Sequence, residues 1–236
     1  MKLYMIPTII AEDKEEITIP LRVRHVIQTI DVYFVENIRT ARRYISKVLR
    51  LTPGNSKRVE DLKFHVVNKS TTSDEIASLL DDFRAEGEIG VLSESGCPGI
   101  ADPGSLVALQ GHKKGFTVVP LPGPSSIYLA LMGSGLNGQN FTFHGYLPIE
   151  RKEREKRISQ IDSQANKSNQ TQIFIETPYR NQHMFESLLH TCSSETMLCV
   201  ATDLTGDMES ISTKSISVWR RTKTELPKSP TVFLLN

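Results

Sequence analysis

The chain has 236 residues with a formal net charge of +1, and is 39% hydrophobic and 23% charged. That length can bury a proper core as one large or two small domains. The balanced charge predicts neither a strongly basic nucleic-acid binder nor an acidic tail. No apolar run reaches the roughly 18 residues of a membrane span, and no charged apolar leader precedes residues 3–6, so no membrane partner is expected. The three cysteines, Cys97, Cys192 and Cys199, are odd in number and widely spaced. They argue against a disulfide framework or a zinc site and fit a reducing cytoplasm.

Strand and helix patterns alternate along the chain. Short apolar runs at residues 3–7, 32–36, 63–67, 89–93 and 117–121 predict strands. Helical patterns lie between them at 18–30, 40–49, 73–86 and 105–114, with start signals at Ser73-Asp74-Glu75 and Pro103-Gly104-Ser105. This β-α alternation predicts a largely parallel sheet covered on both faces. After a helix near 125–132, Gly133-Ser134-Gly135-Leu136-Asn137-Gly138 marks a boundary between domains at 1–135 and 136–236. The second domain reads as smaller, with strands at 141–145, 171–175, 197–201, 216–219 and 231–235 and helices at 149–165 and 180–190. The expected fold class is α/β in two domains, the first sheet mostly parallel and the second mixed.

Residues 91–130, VLSESGCPGIADPGSLVALQGHKKGFTVVPLPGPSSIYLA, carry the most information. Two predicted strands each break into a Gly/Pro/Ser/Asp loop and then a helix, which is how ligand crevices open at the carboxyl ends of parallel strands. Neither loop is a G-x-G-x-x-G or a G-x-x-x-x-G-K-[ST] signature, which disfavours ordinary dinucleotide and P-loop sites. Turn punctuation explains the same residues equally well.

The segment 92–104, LSESGCPGIADPG, resembles the S-D-A-G-T-P-x-I-x-D-P-G loop of the tetrapyrrole methylase superfamily. Residues 118–130, VVPLPGPSSIYLA, resemble the V-V-P-L-P-G-P-x-A-x-x-x-A of one branch, the small-subunit ribosomal RNA cytidine 2′-O-methyltransferases. Further likenesses are LYMIPT at 3–8, VENIR at 35–39, FHGYLP at 143–148 and IFIETPYR at 173–180. The departures are also specific. The branch's I-G-N-L-x-D-I-T is replaced by residues 9–18, IIAEDKEEIT, and its A-E-D-T-R by Val35-Glu36-Asn37-Ile38-Arg39. Asp becomes Glu94, Thr becomes Cys97, A-R-E-L-T-K becomes residues 201–206, ATDLTG, and a terminal G-E becomes Ser229-Pro230. Cofactor motifs survive better than substrate motifs.

The resemblance implies two α/β domains with S-adenosylmethionine in the cleft between them, held without Rossmann glycines or metal. Carried over by motif, cofactor contacts fall at Ile10, Cys97, Ile100, Ser126, Ile127, Ile175, Asp203 and Thr231. Free N–H groups at the helix start around Ser126 and Ile127 suit the carboxylate of that cofactor. The implied activity is 2′-O-methylation of a ribose in small-subunit ribosomal RNA, by a cytoplasmic homodimer whose partner is that RNA or the small subunit. Methylation of a small tetrapyrrole-type molecule, or cofactor binding without catalysis, are the alternatives.

A ribose hydroxyl is a poor nucleophile until a positioned base shares its proton. The polar candidates are Glu36, Arg39 and Asp102, with Glu94 and His144 beside them. Glu36 reads as a substrate contact or as a cap of the following helix. Asp102 reads first as a helix cap and His144 as a satisfied histidine. Cys97 reads as a small loop-filling thiol. Tyr179-Arg180 is a substrate contact or an ordinary loop pair. Of three basic stretches, Arg39, Arg42, Arg43, Lys47 and Arg50 fall along one helix and suit RNA phosphates. Residues 151–157, RKEREKR, read as a solvated face, and Arg220-Arg221-Thr222-Lys223 follows a predicted strand.

Overall fold

The computed structural model describes residues 1–83 and 87–236. It divides into two compact units, Met1–Ser125 and Ser126–Asn236.

The first unit runs β1 (Lys2–Ile6), α1 (Glu15–Thr18), α2 (Leu21–Thr29), β2 (Val32–Val35), α3 (Ile38–Arg50), a 3-10 turn (Val59–Asp61), β3 (Lys63–Val66), α4 (Ser73–Asp82), β4 (Glu88–Leu92), α5 (Gly104–Lys113) and β5 (Thr117–Pro120). The five strands are all parallel, in the order β3-β2-β4-β1-β5. All four residues of β2, and β1 from Leu3 onward, are buried, as expected of strands covered on both faces. Alternate residues supply the two faces. Tyr4, Ile6, Tyr33 and Val35 pack against Ile27, Ile45 and Val48 of α2 and α3. Leu3, Met5, Phe34 and Val91 pack against Ile76, Leu80 and Val107 of α4 and α5.

Two helix expectations change here. The helix expected at 18–30 is α2, which starts later, at Leu21, because Pro20 sits at its N-cap with ψ of 150° and cannot continue a helical ladder from the separate short α1, which ends at Thr18. The helix expected at 73–86 is α4, whose capping box is formed by Thr72 and Glu75. Its expected last turn, residues 84–86, lies outside the described residues.

The second unit runs α6 (Ser126–Ser134), β6 (Phe141–Tyr146), α7 (Arg151–Ser168), β7 (Thr171–Glu176), α8 (Asn181–Thr191), β8 (Met197–Thr202), β9 (Ser210–Ser215), α9 (Ile216–Arg221) and β10 (Thr231–Leu235). Its sheet has the order β6-β7-β10-β8-β9, with β6 parallel to β7 and every other pairing antiparallel. Ile127, Ala130 and Leu131 of α6 pack on Ile173, Ala201, Val232 and Leu234. That packing places α6 in the second unit, so the division falls at Ser125 rather than in the glycine-rich segment 133–138.

The strand expected at 216–219 is corrected to helix. Ile216 and Trp219 are both buried, and their spacing of three residues puts them on one helical face. The Trp219 indole N–H donates to the Leu198 carbonyl at 2.9 Å. The strand beside it is β9, an edge strand of polar, half-buried residues. Among the described residues no helix is long and apolar enough to cross a membrane.

Candidate active site

Because β1, β2, β4 and β5 are parallel, their following loops leave the same edge of the sheet. Hydrogen bonds tie those loops together. The Thr8 backbone N–H, just past β1, donates to the Gly96 carbonyl at 2.9 Å. The Ser93 hydroxyl donates to that same carbonyl at 2.9 Å. Cys97 Sγ donates to the Pro124 carbonyl at 3.5 Å, joining the β4 loop to the β5 loop. Gly123 is pressed on Pro7, since a Cβ there would lie 2.2 Å from the proline Cγ.

The β4 loop turns on positive-φ residues. Gly96 and Gly99 have φ of 72° and 85°, and Ala101 has φ of 61°. A left-handed alanine is strained, and such strain collects at functional loops. Asp102 holds the turn. Its Oδ1 accepts from the Gly99 and Gly104 N–H groups at 2.8 and 2.6 Å. Burial raises the Asp102 carboxyl pKa, and the two N–H groups pull it back down. Its Oδ2 is buried and has no hydrogen-bond partner in the protein.

Glu36 directly follows the β2 strand and is half-buried, and burial raises its carboxyl pKa, with Asp102 and Glu94 adding to the rise. Glu36 is not the cap of α3. Asn37 fills that role, accepting from the Arg39 and Thr40 N–H groups at 2.9 and 3.5 Å. Instead Glu36 Oε1 accepts from the Glu94 N–H at 3.4 Å. The Glu94 carboxylate accepts from the Thr40 hydroxyl at 2.6 Å. Arg39 is exposed at the start of α3.

The expected positions of the first unit therefore gather at one sheet edge. Ile10 lies in the β1 loop and Cys97, Ile100 and Asp102 in the β4 loop, while Glu36 and Arg39 follow β2. Burial raises the Cys97 thiol pKa, in keeping with a loop-filling thiol.

In the second unit, Ser126 and Ile127 open α6, and Ile175, Asp203 and Thr231 meet at one end of the sheet. Thr231 pairs with Glu176 and Thr202 across its two neighbouring strands, and the Asp203 N–H donates to the Pro230 carbonyl at 3.2 Å. Asp203 and Thr205 have φ of 51° and 67°, rare for residues with a Cβ and rarest for a β-branched one. Beside them Glu176, 4% exposed, pairs with Arg180 at 2.6 Å. Glu176 and Arg180 both belong to the IFIETPYR motif at 173–180, which marks the pair in the sequence without giving Glu176 a role.

Other candidates are accounted for structurally. His144 Nε2 lies 2.7 Å from Gln172 Oε1, and Arg157 donates to Nδ1 at 3.2 Å, so the ring is satisfied. Residues 151–157 are not simply a solvated face: Arg154 is 7% exposed and donates to Ser187 Oγ and the Ile149 carbonyl. Arg220 donates to the Leu189 and Cys192 carbonyls at 2.8 Å each, capping the end of α8. Tyr179 is exposed. Among the described residues no His/Cys/Asp/Glu group could hold a metal ion.

A model of the Tetrapyrrole (Corrin/Porphyrin) Methylases matches residues 14–217. Ribosomal RNA small subunit methyltransferase I of Vibrio cholerae is 29% identical over 89% of this chain and 67% of its own length. The protein of that name from Halalkalibacterium halodurans is 31% identical over 54% of this chain and 42% of its own length. The chain thus aligns with only part of each relative. Uroporphyrin-III C-methyl transferase from Thermus thermophilus, solved in complex with S-adenyl homocysteine, matches with a TM-score of 0.55 at 16% identity, over 99% of this chain and 92% of that one. The two-unit α/β fold implied by the sequence motifs is the fold of that structure.

Proposed function

Because the chain belongs to the tetrapyrrole (corrin/porphyrin) methylase family, we propose that it is an S-adenosylmethionine-dependent methyltransferase acting on a ribose 2′-hydroxyl of small-subunit ribosomal RNA. The observation that carries the reading is the loop cluster at the carboxyl edge of the first sheet, where the buried Asp102 braces the β4 loop and acts with burial to raise the carboxyl pKa of Glu36. The relatives named for ribosomal RNA methylation support the choice of substrate.

S-adenosylmethionine supplies an electrophilic methyl group when bound. In this reading Ile10, Cys97 and Ile100 contact it through the loops of the first unit, and backbone contact at Cys97 survives the change from threonine. The positions carried over in the second unit are Ser126, Ile127, Ile175, Asp203 and Thr231. Methyl transfer is an in-line displacement, so positioning supplies much of the rate. Glu36 takes the proton of the attacking hydroxyl, and a half-buried carboxylate is a better base than an exposed one. Arg39 meets the RNA backbone next to it.

The test is tritiated methyl transfer to small ribosomal subunits and to free ribosomal RNA, followed by nucleoside mapping. Label in a 2′-O-methylnucleoside is the expected result; label in base or protein, or none, removes the reading. The chain is also proposed to act in the cytoplasm as a homodimer, for which exposed Tyr128 and Met132 on one face of α6 provide apolar surface. A monomer in sedimentation equilibrium at micromolar concentration would count against the dimer.

A further inference from the structure

Three carboxylates gather past the carboxyl ends of β2 and β4. Beyond the effect of burial, Asp102 and Glu94 both push the Glu36 carboxyl pKa up. A ribose within RNA brings more negative charge to this place, because its 3′-phosphate is carried on the carbon next to the attacking 2′-hydroxyl. Like charges a few ångströms apart repel, so a phosphodiester can settle here only where cations offset the carboxylates. Several cations of the neighbouring helix α3 are already engaged. Arg43 faces Glu12 at 3.4 Å, Lys47 is held by Asp13 at 2.5 Å, and the Arg42 guanidinium lies 5.3 Å from the centre of the Phe64 ring.

Two cations near Glu36 are not engaged. Arg39 and Lys69 are both exposed, and neither has an ion-pair partner among the described residues. Arg39 lies in the first turn of α3, three positions after Glu36. Lys69 comes from the adjacent strand. The Val67 N–H donates to the Val35 carbonyl at 2.9 Å, so the β2–β3 ladder runs one residue past β3 and brings the next loop out beside Glu36. That loop is a closed turn. The Asn68 N–H donates to the Thr71 hydroxyl at 3.0 Å, the Ser70 N–H to Asn68 Oδ1 at 2.9 Å, and the Thr71 N–H to the Asn68 carbonyl at 3.1 Å. Lys69 sits inside the turn with its backbone fixed and its side chain free. Its charge reaches the Glu36 carboxyl and lowers that pKa, against the rise from burial and the two carboxylates. Glu36 Oε2 makes no hydrogen bond in the protein and, unlike Asp102 Oδ2, keeps access to solvent.

We propose that Lys69 is a further substrate-binding residue, which together with Arg39 seats the 3′-phosphate of the acceptor nucleotide and so holds its 2′-hydroxyl beside Glu36 Oε2. This rests on the RNA reading above and adds a residue of the β3 loop to it. An ammonium suits the task, being a compact charge with three rotatable donors, and a charge-assisted bond to phosphate is stronger than a neutral one.

The probes are cytidine 3′-monophosphate, cytidine and inorganic phosphate. Each is dialysed to equilibrium against the whole chain saturated with S-adenosylhomocysteine, and methyl transfer to small ribosomal subunits is measured in parallel. The expected result is the 3′-monophosphate bound about ten-fold tighter than cytidine and tighter than inorganic phosphate. Lys69→Gln should remove that preference, raise KM for subunits more than it lowers kcat, and flatten the slope of log affinity against log salt by about 0.7. It should also move the acid limb of the kcat/KM profile upward, because a cation that favours the charged form of Glu36 is gone. A lysine that served only the fold would leave that limb in place. Lys69→Arg keeps the charge and should restore all four. Equal or absent binding of the 3′-monophosphate and cytidine overturns the seat, as does a preference that survives Lys69→Gln. Inorganic phosphate bound as tightly as the nucleotide overturns it too, since the site would then hold a free ion. Methyl transfer to subunits with KM and salt slope unchanged in Lys69→Gln removes the seat and leaves the RNA reading. A 3′-phosphate preference lost in Lys69→Gln, but without transfer to any RNA, supports the seat and removes that reading.

Discussion

Glu94 donates its backbone N–H to Glu36 Oε1 at 3.4 Å while its own carboxylate receives the Thr40 hydroxyl at 2.6 Å. One residue thereby joins the β4 loop, the end of β2 and the first turn of α3. The joint also fixes where the carboxylate of Glu36 can point.

The first prediction concerns Glu36. Burial raises its pKa in the folded chain, so the protonated form is the one folding favours. That contribution to stability is present below the ordinary glutamate pKa and is lost as pH rises through the raised value. Glu36→Gln should therefore melt slightly higher than wild type near neutral pH and no higher at about pH 4. Activity should move the other way, with kcat falling by about 10²–10⁴ as expected for loss of a general base. The acid limb of the wild-type kcat/KM profile should lie above the ordinary glutamate range and vanish in the variant. An unchanged kcat would take Glu36 out of proton transfer.

A second prediction tests the contact of the β5 loop with the β1 loop. A Cβ on Gly123 would lie 2.2 and 2.4 Å from Pro7 Cγ and Cβ, and a proline ring cannot swing aside. Gly123→Ala should cost about 1–3 kcal/mol in urea unfolding, as overpacking does, and weaken S-adenosylhomocysteine binding. Gly138→Ala meets nothing within 4 Å and is the control. Equal stability of the two variants would mean that the loops separate readily.

The third prediction is chemical. Burial raises the thiol pKa of Cys97, Cys192 and Cys199 alike, and thiolate is the reactive form. All three should resist alkylation by iodoacetamide at neutral pH in the folded chain and react on unfolding in urea. Cys97→Ser should retain cofactor binding, because a hydroxyl can also donate to the Pro124 carbonyl. Rapid labelling of Cys97 in the native chain would contradict the burial account.

The parallel sheet was legible because strands buried on both faces, such as 32–35, are unbroken apolar runs, and the helices between them have clear start signals. The second unit was harder to read. β9 is an edge strand of sequence SISTKS, whose polar residues carry no period-two apolar signal, while the buried pair Ile216 and Trp219 next to it imitated a strand. At the site, Gly/Pro motifs located the loops. They could not show that Asn37 rather than Glu36 caps α3, because both precede the helix and only the backbone geometry separates them. Glu15 was invisible as well. It sits in a charged run, EDKEE, yet the fold buries it, with Lys47 of α3 standing 3.2 Å from its carboxylate.

The last prediction separates RNA from a small-molecule substrate. Arg39, Arg42 and Arg43 are all exposed on α3, yet their surroundings differ. Arg43 faces Glu12 at 3.4 Å, and the Arg42 guanidinium lies 5.3 Å from the centre of the Phe64 ring. Arg39 has no ion-pair partner among the described residues and stands three positions from Glu36, so its charge is the most available to a phosphate. Each phosphate contact contributes about −0.7 to the slope of log affinity against log salt for a single strand. Arg39→Glu should thus flatten the salt dependence of methyl transfer to small subunits by about that amount or more and be the most damaging of the three. Arg42→Glu and Arg43→Glu should act more weakly, and S-adenosylhomocysteine affinity should hardly change in any of them. The measurement is the initial rate at subsaturating subunit concentration across a salt series, wild type beside the three variants. A rate that is flat with salt and indifferent to all three reversals would exclude an RNA backbone at this helix and return the choice to a small substrate.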